Sequence, residues 1–111
     1  MLTFELSRTG AASLFEVAGR LDGSDSARLC AAVGAELAVG ARRIVLDMSE
    51  VAAVGEAGLF ALMQALKLTR RNGGVLCLAQ PSDAVREALA ASALDQLVQP
   101  FETRAQALDA L

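Results

Sequence analysis

The sequence of 111 residues predicts an α/β fold: one mixed, mostly parallel β-sheet, opened by a hairpin, with about four helices packed on it. Three observations carry this. Two strand-like segments follow one another at the start of the chain. Short apolar runs then alternate with segments of helical period. Hydrophobic residues make up 54% of the chain while only four residues are aromatic, which describes an aliphatic core rather than disorder. A single domain spanning 1–111 is expected, because a chain of this length buries roughly two thirds of its unfolded surface without metal or disulfide staples.

The elements follow in order. Leu2-Thr3-Phe4-Glu5-Leu6-Ser7 alternates apolar and polar, the period of a half-buried strand. Arg8-Thr9-Gly10-Ala11 turns the chain, and Ser13–Gly19 forms the second strand of a hairpin. Leu21-Asp22-Gly23 breaks the pattern, so Ser24 or Asp25 is expected to cap a helix running to about Val39. Its buried side reads Leu29, Cys30, Val33 and Leu37, and Gly40 stands where a helix C-terminal glycine belongs. Arg43–Met48 is a nearly continuous apolar run, as in a central strand covered on both faces.

Ala57–Arg71 reads as a second helix with Leu59, Leu62, Met63 and Leu66 as its buried stripe, ended by Asn72-Gly73-Gly74. Val75–Ala79 is another buried strand. Pro81-Ser82-Asp83 opens a third helix, with Val85, Ala88 and Leu89 inward. Leu97-Val98 is expected as a short edge strand, and Thr103 with Gln106 as the capping box of a last helix to Leu111.

Composition also excludes functions. Ten Lys and Arg stand against thirteen Asp and Glu, a net charge of −3, which is the wrong sign for duplex binding. Histidine is absent, so His-based acid–base catalysis and His metal sites are excluded. Cys30 and Cys77 are too few and too far apart for a zinc ribbon or a C-x-x-C motif, and read as reduced, buried thiols. No uninterrupted apolar window long enough to span a membrane occurs, and no secretion signal is read at the N-terminus. No phosphate-binding glycine loop follows a strand. No enzyme activity and no cofactor or metal are expected, and a cytoplasmic location is.

Four segments together resemble the STAS domain, the fold of bacterial anti-sigma factor antagonists. They are Val17-Ala18-Gly19-Arg20-Leu21-Asp22, Ile44-Val45-Leu46-Asp47-Met48-Ser49, Val54-Gly55-Glu56-Ala57-Gly58-Leu59, and Asn72-Gly73-Gly74 with its following strand. The third aligns with the family's apolar-Asp-Ser-Ser/Thr-Gly-Leu signature. In the antagonists that this resembles, an anti-sigma kinase phosphorylates the first Ser of that signature. Here Gly55, Glu56 and Ala57 replace the Asp and both hydroxyl residues, while Gly58 and Leu59 remain.

The resemblance implies a regulatory binding module whose partner is an anti-sigma factor of the serine-kinase type, and it leaves room for a homodimer. The implied partner face comprises Asp22, Gly55, Glu56, Ala57, Phe60, Gln64 and Lys67. Glu56, Phe60, Gln64, Lys67 and Arg71 fall on one side of the second helix by its period, away from the Leu stripe. Glu56 reads either as a first-turn acid or as a fixed imitation of phosphoserine, since a helix N-terminus favours an anion. Asp47 reads as a strand-end hydrogen-bonding residue. The alternative implied by the resemblance is a STAS-type subunit or scaffold of a transporter-associated or stress-signalling complex.

Overall fold

The computed structural model describes residues 1–98 and 100–110. Strands β1 (Leu2–Thr9) and β2 (Ala12–Leu21) form the antiparallel hairpin. Helix α1 (Gly23–Ala38) crosses to β3 (Arg43–Val54), and α2 (Glu56–Arg71) crosses to β4 (Val75–Ala79). Helix α3 (Asp83–Ser92), a 3₁₀ turn at Leu94–Gln96, β5 (Pro100–Phe101) and α4 (Arg104–Asp109) complete the order. The sheet runs β1-β2-β3-β4-β5, parallel from β2 onward. This is the mixed sheet with four helices that the strand and helix periods predict.

One sheet face carries the main core. Phe15, Val17, Leu21, Ile44, Leu46, Met48 and Leu78 meet Leu29, Val33 and Leu37 of α1, Leu62 and Leu66 of α2, and Val85 and Leu89 of α3. On the other face Leu14, Val45, Cys77 and Ala79 are covered by Ala107 of α4, flanked by Phe101 and Leu108. The central run of β3 is therefore covered on both faces, as its unbroken apolar character requires. At the far end of α1 the buried Glu36 accepts from Arg8 and from Ser13 Oγ, both at 2.8 Å, which ties the helix to the hairpin.

Several boundaries differ from the sequence reading. The cap of α1 is Asp22, whose Oδ1 accepts from Gly23 N–H at 2.9 Å, rather than Ser24 or Asp25. Asp25 instead lies in the first turn and accepts from Leu2 N–H. β3 runs six residues past Met48, because Glu50, Val51, Ala53 and Val54 keep pairing with β2 through two register shifts. Leu97 and Val98 are not a strand: their N–H groups bond back to Leu94 and close the 3₁₀ turn. The edge strand is β5, paired with Leu78 and Ala79. Thr103 caps α4 by accepting from Gln106 N–H, but the Gln106 side chain accepts from Glu102 N–H instead of closing the box on Thr103. α4 is described to Asp109, and the expected end at Leu111 lies outside the described residues.

The buried face of α2 also turns. It is Gly58, Ala61, Leu62, Ala65, Leu66 and Thr69, with Leu59 and Met63 only half-buried at its edge. The helix packs on α1 as well as on the sheet, so its buried arc swings toward α1 and takes in the alanines.

Candidate functional site

The signature segment lies where β3 passes into α2, beside the turn from β2 into α1. Gly55 is the N-cap of α2 and makes no side-chain cap. Its N–H donates to the Leu21 carbonyl at 3.1 Å, and its own carbonyl accepts from Leu59 N–H at 3.0 Å. A Cβ on Gly55 would run into the Asp22 carboxylate, with Oδ2 only 2.6 Å away. The missing side chain at 55 is therefore space that Asp22 uses while it caps α1.

Gly58 is needed for a second close approach. A Cβ there would overlap the Leu21 carbonyl oxygen and lie 2.9 Å from its carbon and 3.0 Å from Leu21 Cγ. The first turn of α2 rests directly on the end of β2. Two glycines thus hold the start of α2 against the β2–α1 turn, so that Asp22 of that turn and the signature form one surface.

The residues singled out on α2 divide by exposure. Glu56, Ala57, Lys67 and Arg71 are exposed, and Gln64 is half-buried. Phe60 is 62% exposed, so it stands outside the core rather than folding onto its flank. Glu56 makes no salt bridge or side-chain hydrogen bond among the described residues. Asp22, Gly55, Glu56 and Ala57 are brought together at one end of α2. Phe60 and Gln64 continue along it, and Lys67 and Arg71 lie toward its far end, where basic residues complement the helix dipole.

Cys30 departs from the sequence reading. It is half-buried, in the wall of a groove of about 780 Å³ between α1 and α2 that also takes in Glu56, Phe60 and Gln64. Small residues on both helices, Ala27 and Ala31 against Ala57 and Ala61, leave this space open. Cys77 is buried under α4, as expected. Burial pushes both thiols above their ordinary pKa.

Asp47 lies mid-strand in β3, on the α4 face, 2% exposed. It accepts from Ser49 N–H at 3.0 Å, from Gln80 Nε2 at 2.8 Å and from Arg104, which also pairs with Glu16 at 3.3 Å. Burial pushes its pKa up, but the Ser49 amide and the Arg104 guanidinium outweigh that and hold it below the ordinary carboxylate value. Asp47 and Glu56 sit on opposite sides of the sheet, so they form no carboxylate pair. Sequence reasoning missed Arg104, which is separated from Asp47 by 57 residues. It also missed the α1 wall of the groove, whose signal is small residues at helical spacing, Ala27, Ala31 and Gly34.

No helix among the described residues is long and apolar enough to cross a membrane. Comparison with known proteins supplies the lineage. The STAS domain family model matches residues 3–107. No curated protein matches. Among solved structures, an anti-sigma factor antagonist from Mycobacterium paratuberculosis is similar, with a TM-score of 0.88 at 24% identity over 99% of this chain and 93% of that one. SpoIIAA, an anti-sigma factor antagonist, in its unphosphorylated form superposes with a TM-score of 0.82 at 19% identity over 96% and 94% of the two chains. A sulfate transporter family protein from Wolinella succinogenes gives 0.73 at 19% identity over 91% and 84%. These likenesses are of fold. With the family match over nearly all of its length, the chain belongs to the STAS domain family.

Proposed function

We propose that this chain is a cytoplasmic, non-enzymatic regulator that binds an anti-sigma factor of the serine-kinase type and so controls release of a sigma factor. The observation that carries the reading is the signature surface. Gly55 and Gly58 keep the backbone close against the β2–α1 turn, while Glu56 and Phe60 project from the first two turns of α2. An exposed aromatic among charged, amide and small residues is the chemistry of an interface anchor. The docking face is Asp22, Gly55, Glu56, Ala57, Phe60, Gln64 and Lys67.

The acceptor hydroxyl of the family signature is absent, so a phosphorylation switch at this position is absent too. Glu56 supplies a fixed −1 charge at a helix N-terminus, where phosphoserine would bring roughly −2. In this reading the module is constitutive, or its state is set by the partner.

The test is calorimetric titration of the wild type, Phe60→Ala and Glu56→Ala against the anti-sigma kinase captured from the native host, with thermal melts alongside. Phe60→Ala is expected to weaken binding by about 2 kcal/mol or more with the fold intact. Stronger binding by Glu56→Ala identifies a phosphate imitation and weaker binding a direct contact. Unchanged affinity in both variants would move the interface off α2.

The fold likeness to a sulfate transporter family protein favours a second reading, a subunit of a transporter-associated complex. Capture of a membrane transport component instead of a kinase-like protein selects it.

A further inference from the structure

The groove between α1 and α2 contains a polar group that the fold leaves unsatisfied. Ser26 lines it and is 1% exposed, and its Oγ has no hydrogen-bond partner, alone among the buried side-chain polar atoms of the described residues. A helical Ser or Thr shielded from water can return its hydroxyl to the carbonyl one turn back. Thr69 does so to Ala65 at 2.7 Å and Ser92 to Ala88 at 2.8 Å, but Ser26 does not. An unpaired buried hydroxyl costs folding free energy that a polar group arriving through the groove would recover.

Apart from Glu56 and Gln64, the rest of the groove is lined by apolar and small residues. Ala27, Ala31 and Gly34 face Ala57, Ala61 and Leu68 across it. Its volume of about 780 Å³ falls in the range of small-molecule sites, roughly 300–1,000 Å³. From Gly23 to Gly34 it runs about 16 Å, at 1.5 Å per helical residue.

Charge distinguishes its two ends. α1 and α2 both begin at the Ser26 end, with Asp22 and Glu56 beside their N-termini. Asp25, also in the first turn of α1, is balanced by Arg28 at 3.3 Å, whereas Asp22 and Glu56 have no salt-bridge partner among the described residues. Each helix N-terminus counts as about half a positive charge, so two of them offset only about one of the two carboxylate charges. Roughly −1 remains, which favours a cation.

We propose that the α1–α2 groove binds a small amphiphilic amine, its apolar body along the alanine floor and its ammonium between Glu56 and the Ser26 hydroxyl. The site does not depend on the identity of the protein partner, although it shares Glu56 and Phe60 with the proposed docking face.

The probe is n-decylamine below its micelle concentration, with decanoate as the same chain of opposite charge. Amide chemical shifts of the full labelled chain are followed, together with alkylation of Cys30, which lines the groove, against that of Cys77, which does not. Decylamine is expected to move the amides of Ala27, Ala31, Gly34, Ala57 and Ala61. It should slow Cys30 alkylation at least about tenfold and leave Cys77 unchanged, with decanoate binding at least about tenfold more weakly. Ser26→Ala should raise the melting point, because an orphaned hydroxyl is gone, and yet weaken decylamine about tenfold. A purely structural Ser26 would move only the melting point.

Absence of groove shifts, decanoate binding as tightly as the amine, or unaltered decylamine affinity in Ser26→Ala overturns the proposal. So does a concentration-dependent shift of the same amides without ligand, which would make a second copy the occupant. Failure here leaves the Phe60 titration untouched, so the two readings fall separately.

Discussion

The same substitution, Gly to Ala, should act in opposite directions at two helical positions. At Gly58 the added methyl meets the Leu21 carbonyl, with the carbonyl carbon at 2.9 Å and Leu21 Cγ at 3.0 Å. These are mostly backbone atoms, fixed by the β2–β3 ladder, so α2 itself must move. Overpacking of this kind costs typically 1–3 kcal/mol, and hard backbone contacts put Gly58 toward the upper end. Removing a helical glycine returns about 1 kcal/mol. The net loss is about 2 kcal/mol, or a fall in Tm of about 10 °C for a domain of this size. At Gly34, inside α1, the methyl meets only Leu68 Cδ2 at 3.2 Å, the end of a flexible side chain. The helical gain of up to about 1 kcal/mol is then kept in large part, and Tm should hold or rise by a few degrees. Circular dichroism melts of both variants measure this. Amide shifts at Leu21, Asp22 and Gly23 should move in Gly58→Ala and not in Gly34→Ala. A Gly58→Ala protein melting within about 2 °C of the wild type would refute the close approach that seats α2 on β2.

Other outcomes follow from the same geometry. Asp47→Ala strips Arg104 and Gln80 of a common acceptor and should destabilise the fold by about 2 kcal/mol, read by urea titration. The folded pKa of Asp47 is lowered, so its contribution is complete above the unfolded value of about 3.9 and is lost as pH falls through the folded one. Melting point should therefore drop more steeply below about pH 4 in the wild type than in Asp47→Asn. Cys30 should react with an alkylating reagent before Cys77 in the native protein, both of them slowly near neutral pH because burial disfavours the thiolate. Incubation with an anti-sigma kinase and ATP should leave the chain unmodified by mass spectrometry. Ser82 Oγ is already engaged, donating to Val51 O and capping α3, so phosphate on Ser82 or Ser49 would overturn the assignment of Glu56 as the acceptor-equivalent position.

The elements that the sequence made legible are those defined by a local period. The alternation in Leu2–Ser7, the apolar runs at 44–48 and 75–79 and the stripe of α1 each follow from neighbours a few residues apart. What it hid depends on partners far along the chain. The second half of β3 follows the polar pair Ser49-Glu50 with a short run of mostly small residues, Val51-Ala52-Ala53-Val54, and it is held as strand by β2 continuing beside it. The stripe of α2 turns because α1 is its neighbour, which no period within α2 reports. Cys30 fits the helical stripe by spacing, yet the alanines on both helices leave a gap beside it. Asp22 was hidden as a cap by the better-looking Ser24. At the candidate site, the glycines and the exposed Phe60 were readable, while the clasp of Asp22 against Gly55 was not. That clasp needs two turns from different parts of the chain to meet.

The sheet is covered unequally, and this sets a hierarchy of opening. Three helices seal one face, while six residues of α4, with Ala107 alone among them fully buried, close the other. Detaching α4 exposes Leu14, Val45, Cys77 and Ala79 but leaves the three-helix face whole. That sub-global step sits below global unfolding in free energy. Native-state hydrogen exchange should therefore show α4 as the lowest rung, with β3 and β4 exchanging only by complete unfolding. The thiol of Cys77, sealed under α4, becomes a chemical counter of how often that rung is visited.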